Sequence, residues 1–96
     1  MFGKPKSRSL EPPPNARNPA AIEVLRVWAV PEEPQQLVLK TTWQDPGAWG
    51  LLLADVARHA AKAYANEGHD EAKTLARIRQ FLGAEFASPT DQPKQM

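Results

Sequence analysis

Residues Ile22-Glu23-Val24-Leu25-Arg26-Val27-Trp28-Ala29-Val30 and, beyond Pro31-Glu32-Glu33-Pro34-Gln35, residues Gln36-Leu37-Val38-Leu39-Lys40-Thr41-Thr42 decide the fold. Both runs are rich in β-branched and aromatic side chains, which fit a pleated surface. The link between them is short and carries two prolines, so the pair predicts a β-hairpin. Side chains alternate along a strand. Leu25, Val27, Ala29, Leu37, Leu39 and Thr41 therefore share one face, and Val24, Arg26, Trp28, Val30, Val38, Lys40 and Thr42 share the other. The first face is the cleaner and is expected to meet helices. The second is mixed, which makes Val24, Arg26, Trp28, Val30, Val38 and Lys40 a candidate protein interface. Arg26 opposite Lys40 would juxtapose like charges. The expected register instead sets Trp28 across from Lys40 and Val30 across from Val38, with the ammonium over the indole.

Working outward, Asp45-Pro46 opens a helix. Asp45 is a good cap, and the fixed φ of Pro46 suits the first helical position. The helix is expected to run to about Glu67, where Gly68 can end it. At about 100° per residue, Trp49, Leu52, Leu53, Val56, Ala60, Ala63 and Tyr64 form an arc of mostly large residues suited to the sheet. Ala54, Ala57, Ala61 and Ala65, with Gly50, form a small-residue arc that admits a second helix. Leu51 falls in the polar arc formed by Asp55, Arg58, His59, Lys62 and Asn66. Asp70 caps that second helix, from about Glu71 to Ala87, with Ser88-Pro89 as its stop. Leu75, Ile78, Leu82 and Phe86 make its apolar stripe, Phe81 lies off it, and Gly83 is an interior glycine. The helices are expected to be antiparallel.

Before the hairpin, residues 1–17 are rich in Pro, Ser, Lys and Arg and poor in large apolar groups. Such a segment cannot offset its ordering entropy by burial, and residues 1–17 and 89–96 are expected to be disordered tails around one domain at 18–88. Asn18-Pro19 offers at most one helical turn. Roughly 70 residues then do the folding, a size at which a lone core is marginal. The chain has no cysteine, so disulfides, thiolate metal sites and cysteine catalysis are excluded. No signal-type or membrane-spanning apolar run is visible, and Phe2 stands where myristoylation needs glycine. A cytoplasmic location is the expectation. In the tail, Lys4, Lys6, Arg8 and Arg17 against Glu11 give +3, whereas eight basic and ten acidic residues in the remainder give −2. The domain thus lacks the basic face of a nucleic-acid binder. Membrane partners are not expected, and nucleic acid only as a weak association through the basic tail.

Val24-Leu25-Arg26-Val27-Trp28, Trp43-Gln44-Asp45-Pro46-Gly47-Ala48-Trp49-Gly50-Leu51-Leu52-Leu53-Ala54-Asp55, Ala57-Arg58-His59 and Phe86-Ala87-Ser88-Pro89-Thr90-Asp91 together form an ordered pattern. Over roughly residues 16–92 it resembles the uncharacterised bacterial family DUF5076. The resemblance implies a short soluble bacterial protein and carries no activity and no catalytic residue with it.

Each chemically suggestive cluster has a plainer structural explanation. Asp55 and His59 are four apart on one helix, so the carboxylate can orient the imidazole. Only His69 is available as a second histidine, however, and no metal spacing is present. Glu67, His69, Asp70 and Glu71 crowd the interhelical turn without the spacing of a calcium loop, and capping explains Asp70 and Glu71. Gly47 and Gly50 lack the rest of a phosphate loop, and an Asp45 cap would compete with an anion for the helix-start amides. Trp43 and Trp49 flank that cap and can clasp the strand-to-helix corner.

The sequence therefore reads as an α+β domain, a β-hairpin followed by two antiparallel helices, with no cofactor. The leading function is a small protein-interaction or structural module, self-associating as a homodimer through the hairpin. The rival is a small-ligand binder or enzyme using the helix start near Trp43, Asp45 and Trp49.

Overall fold

The computed structural model describes residues 8–90 and 94–95 of the 96-residue chain. A 3-10 turn at Pro14–Arg17 is followed by β1 (Leu25–Trp28), β2 (Gln36–Leu39), α1 (Gly47–Asn66), α2 (Glu71–Ala87) and a two-residue strand, β3 (Lys94–Gln95). The fold is α+β, with an antiparallel hairpin ahead of two helices. β3 joins β2 in parallel, pairing Gln36 with Lys94 and Leu37 with Gln95. β2 is therefore central and β1 keeps an open edge. Nothing in the composition of 89–96 announced that strand. Of the two expected tails, residues 1–7, 91–93 and 96 lie outside those described, and within the rest Pro14–Arg17 and Lys94–Gln95 form the elements just named. Asn18 forms the single turn expected of it, its side chain accepting from the Ala20 amide at 2.8 Å.

The hairpin register differs from the expected one. Leu25 faces Leu39, Arg26 faces Val38, Val27 faces Leu37 and Trp28 faces Gln36. Lys40 lies across from Val24, donating its amide to the Val24 carbonyl at 3.0 Å, so Trp28 has no lysine opposite it and Val30 does not face Val38. The turn dictates this. The Glu33 amide donates to the Val30 carbonyl at 3.0 Å, and Glu32 sits at φ 67°, the left-handed third position of a turn with Pro31 second. That turn leaves Ala29–Gln35 unpaired and moves the first pair back to Trp28–Gln36. Arg26 and Lys40 are kept apart, and the division of residues between the two faces is as expected.

α1 begins one residue later than expected. Pro46 has helical angles, φ −59° and ψ −20°. The Asp45 carboxylate accepts from the Gly47 amide at 2.8 Å, so it caps as its position predicts. At the other end Gly68, at φ +101°, donates to the Ala65 carbonyl at 3.0 Å, and His69 donates to Tyr64 at 3.1 Å. These are the two reverse bonds of a Schellman ending. The rings of Tyr64 and His69 meet edge-on at 5.3 Å across it. Asp70 then caps α2, its carboxylate accepting from the Lys73 amide at 2.8 Å.

The helices pack through the small-residue arc. Ala61 is 1% exposed, with Ala57 and Ala65 half-buried beside it. From α2, Leu75 and Ile78 are half-buried, whereas Leu82 and Phe86 of the same stripe stay exposed. Phe81, off the stripe, lies beneath the Arg77 guanidinium at 4.2 Å. Gly83 is not a close-approach site: a Cβ there would meet nothing within 4 Å.

The expectation that the hairpin lies on the helices is overturned. Contacts run from α1 to α2, from β1 to β2 and from β2 to β3, and among the described residues no strand contacts either helix. The cleaner hairpin face and the large-residue arc of α1 are consequently both open, and Val27, Leu39, Leu53, Val56 and Tyr64 are exposed. Among the described residues Ala61 alone is fully buried. The Cα radius of gyration is 16.1 Å, against about 12–13 Å for a compact chain of this length.

Candidate functional site

What holds the hairpin away from the helices is the corner between them. Trp49, on the first turn of α1, donates its indole N–H to the Thr41 carbonyl at 3.0 Å. Trp43 meets Trp49 edge-on, with centroids 5.7 Å apart and planes at 75°, a favoured aromatic geometry. Between them the chain folds tightly. Thr42 is at φ 65°, its hydroxyl donates to the Lys40 carbonyl at 2.8 Å, and the Trp43 amide donates to Thr41 at 2.6 Å. The two tryptophans clasp the corner as their flanking positions suggested. The Thr41 carbonyl that completes the clasp carries no signature in the sequence.

This corner is also where a ligand-binding reading would put its groups. They are engaged with one another. The Asp45 carboxylate is on the Gly47 amide, the Ala48 and Trp49 amides donate to the Asp45 and Pro46 carbonyls at 3.1 and 2.9 Å, and the Trp49 N–H is on Thr41. Two shallow hollows lie elsewhere. One of about 210 Å³ is lined by Glu23–Arg26 and Val38–Lys40, and one of about 90 Å³ by Arg26, Trp28 and Gln36–Val38. Both are open troughs on the hairpin.

The mixed hairpin face gathers most of the candidate interface. Val24 and Lys40 oppose each other at its base, Arg26 and Val38 follow, and Trp28 stands at the tip beside Gln36. Val30 lies beyond the last pair, in the turn. Arg26 is forked by Glu23, Nη2 to Oε1 at 2.6 Å and Nε to Oε2 at 3.2 Å. That hydrogen bond, and then the carboxylate charge, raise the guanidinium pKa above its usual value. Arg26 is thus already paired with a residue just ahead of its own strand. Trp28 is 45% exposed.

The helix-borne clusters remain separate. Asp55 leans toward Arg58, at 3.8 Å, and His69 packs on Tyr64. Glu71 reaches Lys62 across the interhelical turn at 4.0 Å, while Asp70 caps α2. Among the described residues no three His, Cys, Asp or Glu side chains gather as a metal site, and no helix is long and apolar enough to cross a membrane. At the end of α2, both Glu85 carboxylate oxygens accept from the Thr90 amide, at 3.0 and 3.1 Å, and the Thr90 hydroxyl donates to the same carboxylate. This brace follows the Ser88-Pro89 stop and was not anticipated.

The model of a family described as a domain of unknown function, DUF5076, matches residues 9–90. The chain belongs to the DUF5076 family. The match begins ahead of the 3-10 turn, so the DUF5076 unit takes in residues that composition alone assigned to a tail. No curated protein matches the chain. Among solved structures, one described as "a putative pyruvate dehydrogenase from the photosynthetic bacterium Rhodopseudomonas palustrus" is 41% identical. It covers 96% of this chain and 93% of its own, with a TM-score of 0.70. The two helices make up well under half of this DUF5076 chain, so superposing them alone would not reach that score.

Proposed function

We propose that this chain is a protein-interaction module that acts as a homodimer, in the cytoplasm of a bacterium, with another protein surface rather than nucleic acid or membrane as its contact. One observation carries the reading: the sheet and the helix pair each expose an apolar face, and among the described residues no strand packs on either helix. Sheets and helices are stable when such faces are buried against another layer. A chain whose described residues include a single fully buried alanine lacks the core that would offset its ordering entropy. Without cysteine, oligomerisation is the natural way to complete so small a fold. The accessible surface of 9083 Å² exceeds the roughly 5,500 Å² of a compact monomer of this mass.

The ligand-binding or enzymatic alternative draws less support, because the Asp45 carboxylate and the Trp49 indole N–H are engaged in holding the corner. The name given to the Rhodopseudomonas protein suggests dehydrogenase chemistry, which needs an enclosed cofactor pocket, and the hairpin troughs are open on one side.

Sedimentation equilibrium on the full chain, from nanomolar to high micromolar concentration, tests the proposal. A dimer whose thermal midpoint rises with concentration is expected. A monomer that melts cooperatively at a concentration-independent midpoint and binds no hydrophobic dye would overturn it.

A further inference from the structure

We infer that two copies of this chain exchange hairpins, the Val27, Leu37 and Leu39 face of each hairpin lying on the Leu53, Val56 and Tyr64 stripe of the other copy's α1. The inference rests on the self-association reading and adds which faces meet, and whose.

The two surfaces suit each other. Val27, Leu37 and Leu39 project from one side of a twisted pair of strands. Leu53, Val56 and Tyr64 recur along α1 at steps of three and eight, and so line one side of the helix. Val27, Leu39, Leu53, Val56 and Tyr64 are exposed and Leu37 is half-buried. A sheet face against a helix stripe is the ordinary way to bury both.

Within one chain the surfaces do not meet, and the reason is local. The Trp43–Trp49–Thr41 clasp fixes the direction in which β2 leaves α1. Folding the hairpin back onto its own helix would require breaking the Trp49–Thr41 hydrogen bond and reopening the turn at Thr42. The described part of the N-terminal segment offers no cover either, since Leu10 is 94% exposed. A second copy supplies both missing halves at once, and a twofold axis closes the arrangement without leaving an unmatched surface. A foreign partner would have to offer a sheet face and a helix face together.

The area agrees. The surface in excess of a compact monomer is about 3,600 Å², and the exposed residues 8–13 account for part of it. One chain's share of an obligate homodimer interface is roughly 1,000–2,500 Å², which the remainder can supply.

Because the chain contains no cysteine, introduced thiols are unique. Val27→Cys and Val56→Cys, made in separate full-length chains, are mixed, refolded together and treated with a short bifunctional maleimide. Exchange predicts cross-linked heterodimers, and predicts that the double variant cross-links between chains and not within one. Closure within a single chain would overturn it. Sedimentation of Val56→Asp and Trp28→Glu locates the interface independently. Exchange predicts at least about tenfold weaker dimerisation for Val56→Asp and little change for Trp28→Glu. The reverse order would assign the dimer to the mixed face, overturning exchange while leaving self-association standing. A wild type that stays monomeric at high micromolar concentration would overturn both.

Discussion

The indole nitrogen of Trp49 donates to the carbonyl oxygen of Thr41 at 3.0 Å, and this bond ties the first turn of α1 to the end of the hairpin. The two residues are eight apart in sequence. Trp43 closes the corner from the other side. Trp49→Phe keeps the ring and removes the donor. It is expected to cost about 1 kcal/mol, the net worth of one hydrogen bond, read from the urea midpoint at fixed protein concentration. Trp49→Ala also removes the aromatic pair and should cost more than Trp49→Phe. Equal midpoints for the two variants would show that the ring contributes nothing.

Gly68 and Gly83 should respond to alanine with opposite sign. Gly68 is at φ +101°, where an L side chain is strained, so Gly68→Ala is expected to destabilise by about 1 kcal/mol or more. Gly83 lies inside α2 with open space around its missing Cβ, so Gly83→Ala should stabilise by up to about 1 kcal/mol. Thermal melts followed at the helical circular-dichroism band compare them directly.

Asp70 holds the start of α2 through the Lys73 amide. Asp70→Ala should cost about 1 kcal/mol, or about 4–8 °C for a domain of this size. Asp70→Asn retains an accepting oxygen and should lose much less. The two melts must be run at one protein concentration, since dimerisation makes the midpoint depend on it.

Ala61 lies between the helices at 1% exposure, whereas Ala63 faces outward. Ala61→Leu would force α1 and α2 apart and is expected to cost about 1–3 kcal/mol. Ala63→Leu should be nearly neutral. Guanidinium unfolding of both variants checks this, and comparable losses would place the packed arc of α1 elsewhere.

Local signals made much of the chain legible. Alternation assigned the hairpin faces. Asp45, Gly68 and Asp70 marked helix ends through caps whose partners lie within five residues. The run of alanines at 54, 57, 61 and 65 marked where a second helix could approach. Each depends on neighbours in sequence, so periodicity and turn chemistry are sufficient to find it. The candidate interface residues were likewise brought to one face by strand alternation, and Arg26 found its partner in Glu23, three residues away.

Tertiary structure decided the rest. The register followed the left-handed Glu32 turn, whose loop length a search for favourable cross-strand pairs does not reveal. β3 depends on a return of the chain to β2 across the whole length of the helices. Most consequential is the separation of the hairpin from the helix pair. Hydrophobic patterning says which faces must be buried, because apolar surface leaves water whatever covers it. It does not say which chain supplies the cover. That choice lies in the direction of one corner, set by two tryptophan rings and a backbone carbonyl. A carbonyl is common to every residue, so its role is visible only once the chain is folded.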